Sequence, residues 1–297
     1  MGGTTPNYAG RWDSKTYDTY RSNFQDKSLH QVFKQSGIHE LMDPHNITLR
    51  ESCDSDINPE STAIILGLDV TGSMGRMAHM LAVEGLGKLV TGILEHKPVT
   101  DPHIMVMGIG DSVHDRAPLQ VSQFEPDIRI AEQLVNIYVE GGGGGNGWES
   151  YDLPWWFAAN RTAIDCYTKR GKKGYLFTIG DEPPPPGVTV SNLNRIVGDN
   201  AECSNKAQGT LAAAQERYNV FHIILERVGY CSSNRYSVIP PWRKLLGARA
   251  ILLSKPEHLT EVILAVMEVS EGADPETVLA KISDPDVRHV VRHALFD

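Results

Sequence analysis

Paired cysteines are missing from this 297-residue chain: Cys53, Cys166, Cys203 and Cys231 are scattered and no Cys-x-x-Cys occurs. Unpaired thiols in a reducing, cytoplasmic compartment are the simplest expectation. No apolar run approaches the roughly 18–20 residues of a membrane span, so no membrane association is expected. The opening Met1-Gly2-Gly3-Thr4-Thr5-Pro6 lacks a secretory core, and Pro6 stands where a myristoylation signal carries a hydroxyl. Basic residues are outnumbered, 28 Lys and Arg against 37 Asp and Glu, for a formal charge of −9. That balance argues against a nucleic-acid partner, whose binders concentrate Lys and Arg. Also absent are a Gly-x-x-x-x-Gly-Lys-Ser/Thr phosphate loop and a Gly-x-Ser-x-Gly nucleophile elbow, and no Cys sits beside a His at a plausible turn. No catalytic residue emerges, and the expectation is a protein that is not an enzyme.

What is present is a pattern of short apolar runs alternating with amphipathic stretches from residue 61 onward. This is the signal of βαβ units around a mostly parallel sheet, a doubly wound α/β fold with both faces covered by helices. Strands are expected at 62–69, 103–110, 174–180, 219–226 and 249–253, with an alternating edge strand at 119–124. Helices are expected at 75–95, 127–139, 151–168 and 205–218, then from 255 to about 269 and again after Asp274-Pro275. Gly85 and Gly87 interrupt the first helix at about 1 kcal/mol each, which implies close approach to a neighbour. Residues 1–60 are polar and read as an extension packing on a domain of 61–270, with 271–297 a helical C-terminal extension. No internal repeat is visible; the low-complexity pieces are the glycines at 141–145 and the prolines at 183–186.

In open α/β sheets, ligands bind beyond the carboxyl ends of the strands near the topological switch point. Three expected strands end there in acids: Asp69, Asp111 after Gly110, and Asp181 after Gly180. Such carboxylates repel one another unless a cation sits among them, and a metal ion is the simplest cation. The first end reads Asp69-Val70-Thr71-Gly72-Ser73-Met74-Gly75. A carboxylate and two hydroxyls at alternate positions supply the oxygen ligands that hard divalent ions take, and Gly72 permits the sharp turn.

The spacing Asp69-x-Thr71-x-Ser73 resembles the metal-ion-dependent adhesion site of von Willebrand factor A (vWA) domains, and the resemblance runs from about residue 60 to about 270. The segment Tyr175–Pro183 is similar to the strand and loop that present the family's distal Asp, here Asp181. The second loop departs from the pattern: Gly141–Gly145 leads into Asn146-Gly147-Trp148-Glu149-Ser150 with no Thr. The family's Gly-Gly-Gly-Asp/Asn variants point to Asn146, with Glu149 and Ser150 as competitors. The resemblance therefore implies Mg²⁺ or Mn²⁺ held by Asp69, Thr71, Ser73, Asn146 and Asp181. It implies metal-dependent binding of a protein partner whose carboxylate completes the shell. It also implies a likeness to cytosolic bacterial or phage members, some of which serve AAA+ ATPases of the MoxR type.

Other features weigh less. Gly142-x-Gly144-x-x-Gly147 matches a dinucleotide fingerprint only because consecutive glycines satisfy any glycine spacing, and no strand precedes it. Asp111 and Asp115 fit a polar loop rim as well as a small cation site, and His79, His96, His103, His222 and His258 read as structural. Of Trp148, Tyr151, Trp155, Trp156 and Phe157, most belong to a core, while Trp148, Tyr151 and Trp155 are candidates for a binding rim beside the metal. Two alternatives remain: a metal-dependent phosphate-ester hydrolase, although Thr71 stands where such a site needs its second carboxylate, and a scaffold with vestigial metal loops.

Overall fold

The computed structural model describes residues 12–140, 147–198, 201, 202 and 206–297; the side chains of Ser14 and Ser73 lie outside it. Its centre is a sheet of six strands. In chain order, with two short strands off that sheet, the elements are β1 Arg50–Ser52, β2 Thr62–Asp69, β3 Pro102–Ile109, β4 Leu119–Val121, β5 Thr162–Ile164, β6 Gly174–Gly180, β7 Tyr218–Leu225 and β8 Ala250–Leu253. The central sheet runs β4-β3-β2-β6-β7-β8, all parallel except the antiparallel edge strand β4. This is the doubly wound α/β architecture expected, and the order reverses between β2 and β6. The apolar runs are continuous because both sheet faces are buried: Ile64, Leu66 and Leu68 of β2 enter one core, and Ala63 and Ile65 the other.

One face is covered by the helical stretch Gly75–His96, by Leu259–Ser270 and by the C-terminal helices Pro275–Lys281 and Pro285–Phe296. Tyr17, Val32, Phe33 and Met42 of the N-terminal region join that same core. The other face is covered by Asp152–Asn160, Val190–Val197, Ala207–Gln215 and Gly229–Leu246. By length and composition Gly75–His96 could cross a bilayer, but 67% of its apolar window is buried in the domain.

That helix is not uniform: Gly75–Met80 and Leu86–His96 are α-helical, and Leu81–Gly85 forms a π-helical turn. The turn frees backbone carbonyls for distant partners. Val83 O accepts from the Tyr17 hydroxyl at 3.1 Å and Gly85 O from Thr260 Oγ1 at 3.2 Å. A β-carbon on Gly87 would fall inside the Tyr17 ring, the close approach anticipated for this glycine.

Three expectations need correction. The helix expected at 151–168 breaks after Asn160, and residues 162–164 form β5, paired in parallel with β1. The cause is Arg161, whose guanidinium donates to Pro44 O, Ile47 O and Val197 O at 2.6–2.7 Å and holds the backbone out of the helix. The helix expected at 127–139 spans only Arg129–Leu134, and Glu140 lies extended beside Thr71. Gly229–Leu246, for which no helix is expected, is helical with a kink at Asn234 and carries Pro240 and Pro241 inside it. Of the cysteines, Cys53, Cys166 and Cys231 are unpaired, and Cys203 lies outside the described residues.

Candidate metal centre

β2 delivers Asp69 to the carboxyl edge at the switch point, fully buried. Beyond it Gly72 adopts φ +37°, which favours glycine, and a short 3₁₀ turn leads into the helix at Gly75. Asp69 Oδ1 accepts from the Thr71 backbone N–H at 2.9 Å and the Thr71 hydroxyl at 2.7 Å. Asp69 Oδ2 accepts from the Tyr151 hydroxyl at 3.0 Å. Tyr151 reaches this position because residue 180 is glycine: a β-carbon there would collide with the phenol. Ser73 sits in the 3₁₀ turn by its backbone, and its hydroxyl lies outside the described residues.

On the second loop Asn146 lies outside the described residues. Its competitor Glu149 is buried beside Thr71, with Oε1 at 3.3 Å from the Thr71 hydroxyl oxygen and Oε2 buried without a hydrogen-bond partner among the described residues. One hydroxyl proton cannot serve both Asp69 and Glu149, so this pair of contacts calls for a further proton on one of the two carboxyls. Ser150 ties this loop to the end of β3, its Oγ accepting from Ser112 N at 2.9 Å and its N–H donating to Gly110 O at 3.2 Å.

Asp181 follows directly on β6 and accepts from the Tyr230 backbone N–H. Glu182 beside it has a buried Oε2 with no partner among the described residues. Asp111 closes its own turn, accepting from Val113 N at 3.0 Å and from the backbone and ring of His114, while its N–H donates to Asp115 Oδ2 at 2.7 Å. Asp111 and Asp115 thus serve the loop itself.

The electrostatics follow from this crowding. Burial above all, then the neighbouring carboxylates, pushes Asp69 and Glu149 well above the ordinary carboxylate range, although the Thr71 and Tyr151 hydrogen bonds pull Asp69 back. Burial raises Asp181 against the opposing N–H groups of Tyr230 and Cys231, and burial together with Asp181 pushes Glu182 up to about 7. Among the described residues, no cationic side chain is a leading influence on these four acids. A hard divalent cation fits this donor set: the oxygens are of the right kind, uncompensated, and in Glu149 Oε2 orphaned. Among the described residues no three His, Cys, Asp or Glu side chains converge closely enough to hold a metal unaided, so a shell here would also draw on hydroxyls and water.

Asp69, Thr71 and Asp181 are therefore brought to one edge of the sheet, with Glu149 joining them from the second loop. The aromatic rim is corrected: Tyr151 and Trp155 are fully buried, and of the three expected rim residues only Trp148 is partly exposed. Tyr151 acts inward, on Asp69. That role was not visible in the sequence, where the only trace of it is the glycine preceding Asp181. His222 is structural as expected: it is buried, stacks on Trp242 at 3.6 Å between ring centroids and pairs with Thr178 Oγ1 at 2.8 Å.

No protein-family model and no curated protein matches the chain. Among solved structures it is similar to a von Willebrand factor type A protein from Catenulispora acidiphila, at 14% identity and TM-score 0.39, over 72% of this chain and 44% of that one. It is also similar to the pilus adhesin SpaC from Lactobacillus rhamnosus GG, at 10% identity and TM-score 0.45, over 77% of this chain and 32% of that one. The chain thus spans less than half the length of either structure, and the likeness concerns the fold, which the strand order establishes on its own.

Proposed function

We propose that this edge holds Mg²⁺ or Mn²⁺ and that the chain is a metal-dependent protein-binding module, not an enzyme, working in a cytoplasmic assembly. The observation that supports it is the set of buried carboxylates Asp69, Glu149 and Asp181 at the switch point with no cation among their leading influences. Asp69, Thr71 and Ser73 on the first loop and Asp181 on the third would hold the ion, with Asn146 or Glu149 from the second. The bound ion would offer an open position to an acidic side chain of a partner, and the apolar core beneath would keep the exchange of water for carboxylate local. An AAA+ ATPase of the MoxR type is the partner class that the motif's resemblance suggests.

Calorimetry with Mg²⁺ and Mn²⁺ should show saturable binding that Asp69→Ala abolishes while the far-ultraviolet circular dichroism stays unchanged. Partner capture from the native host should depend on Mg²⁺ and vanish with EDTA. Equal metal binding by wild type and Asp69→Ala would overturn the assignment of the site. A partner held equally by both proteins in EDTA would overturn its role in binding.

A further inference from the structure

Beside the metal edge, on the face carrying Gly75–Met80, lies a groove of about 550 Å³ whose apolar lining is Leu29, Met77, Met80, Val228 and Pro256. Its walls grow out of the metal loops. Leu29 packs on Gly75, two residues past Ser73, with Cδ2 at 3.1 Å from where a β-carbon would stand. The same glycine faces Val139, just before the glycine tract of the second loop, with Cγ1 at 2.9 Å. Val228 stands two residues before Tyr230, whose N–H holds Asp181.

The lining is soft and partly wet: Leu29, Met80, Val228 and Pro256 are half-buried. Methionine adapts to varied apolar side chains, and a groove of this size takes more than one of them. The charge at its margin differs from that of the metal edge. Arg76 is exposed and has no hydrogen-bond or ion-pair partner for its side chain among the described residues, and the one acid on the lining is Glu257. An anionic group is therefore favoured next to an apolar one.

The geometry points to a two-point docking surface for one partner segment. The protein segment that presents a carboxylate to the metal also seats a bulky apolar side chain (Leu, Met, Ile or Phe) in this groove, with a further acidic residue opposite Arg76. This rests on the metal reading proposed above and adds the chemistry of the partner: an acidic-apolar peptide, not an isolated acid. The apolar contact supplies affinity through buried area, and the metal-bound carboxylate fixes the register.

The test uses the full chain and a displayed library of random twelve-residue peptides selected in Mg²⁺. Enriched peptides should carry Asp or Glu at a fixed spacing from an apolar residue, and EDTA should release them. Met80→Glu and Val228→Glu, at half-buried positions, should keep wild-type Mg²⁺ affinity by calorimetry yet bind those peptides at least tenfold more weakly. Selection on either variant should retain the acid and lose the apolar position. Equal peptide binding by the variants would overturn the groove, as would apolar peptides held equally in EDTA, or no enrichment by a protein that binds Mg²⁺. A dimer of the chain dissolved by Met80→Glu would assign the groove to a second copy and likewise overturn the proposal. Loss of Mg²⁺ binding in the wild type would instead mark failure of the metal reading, which the calorimetry reports separately.

Discussion

Asp69 has little freedom left. Two donors occupy Oδ1 and one occupies Oδ2, so a single lone pair, on Oδ2, remains to face an ion or its water. The group that sets this arrangement is Tyr151, and groups that orient a metal-binding carboxylate typically contribute 10- to 100-fold in affinity. Tyr151→Phe keeps the ring against His222 and Trp242 and removes only the hydroxyl donor. It should therefore weaken Mn²⁺ binding about tenfold with little change in melting temperature. Glu149→Gln, which keeps shape and removes a carboxyl that burial keeps from ionising in the fold, should weaken binding as much and raise the stability of the metal-free protein. Titration calorimetry with thermal melts checks both variants, and unchanged Mn²⁺ affinity in both would separate these residues from the site. Asp69, Thr71 and Asp181 were legible because a strand end followed by acid and hydroxyl is a local pattern. Tyr151 was not, because its partner lies 82 residues away and nothing near it in the chain marks the direction in which it turns.

Among the elements, the sheet strands were readable to within a residue or so at most ends because two buried faces impose unbroken apolar runs. Only the edge strand β4 fell short, ending at Val121 rather than 124. What escaped was decided at long range. β5 exists because Arg161 is pinned by carbonyls from residues 44, 47 and 197, and because β1 lies alongside to pair with it. Glycine in the first helix was legible as close approach, with its partner unknown until Tyr17 appeared against Gly87. Gly87→Ala gains about 1 kcal/mol in helix propensity. Against that stand overpacking on the Tyr17 ring, about 1–3 kcal/mol, and loss of the Tyr17–Val83 hydrogen bond, about 1 kcal/mol. The balance predicts net destabilisation of about 2 kcal/mol, read as a lowered denaturant midpoint. A midpoint equal to or above wild type would show that the N-terminal segment gives way at no cost.

For the whole molecule, buried titratable groups act in opposite directions as pH changes. Asp152 is buried, with Oδ2 accepting from Val188 N at 2.6 Å and Oδ1 unpartnered, and burial pushes its carboxyl up to about 6. The folded state thus binds this proton more tightly than the unfolded state, whose Asp titrates near 3.9. Stability from this group falls as pH rises from about 4 to about 6 and is level above that. The full loss is on the order of 3 kcal/mol at 1.36 kcal/mol per pH unit. His222, held neutral by burial, has the opposite sign: its unfolded form takes up a proton below about 6.5 and costs stability in acid. A bare melting temperature mixes the two, so the readout is a difference. The stability of Asp152→Asn relative to wild type should climb between pH 4 and 6 and stay constant from 7 to 8, as measured by urea unfolding at each pH. A difference that is flat throughout would show that Asp152 is ionised at little cost in the fold.

The π-helical turn at Leu81–Gly85 makes the long helix two rods of different phase on one axis. One extra residue in a turn sets everything beyond it back by roughly 100°. Before the turn, Met77 and Ala78 are aimed by the loop that carries Thr71 and Ser73; after it, Leu86, Leu89, Val90 and Ile93 are aimed by the sheet. A uniformly wound helix could be correctly clocked for one of these ends only. The offset lets a single rigid element answer to the loop edge at its start and to a packed interior along the rest, with Tyr17 and Thr260 as the pins that hold the two settings apart.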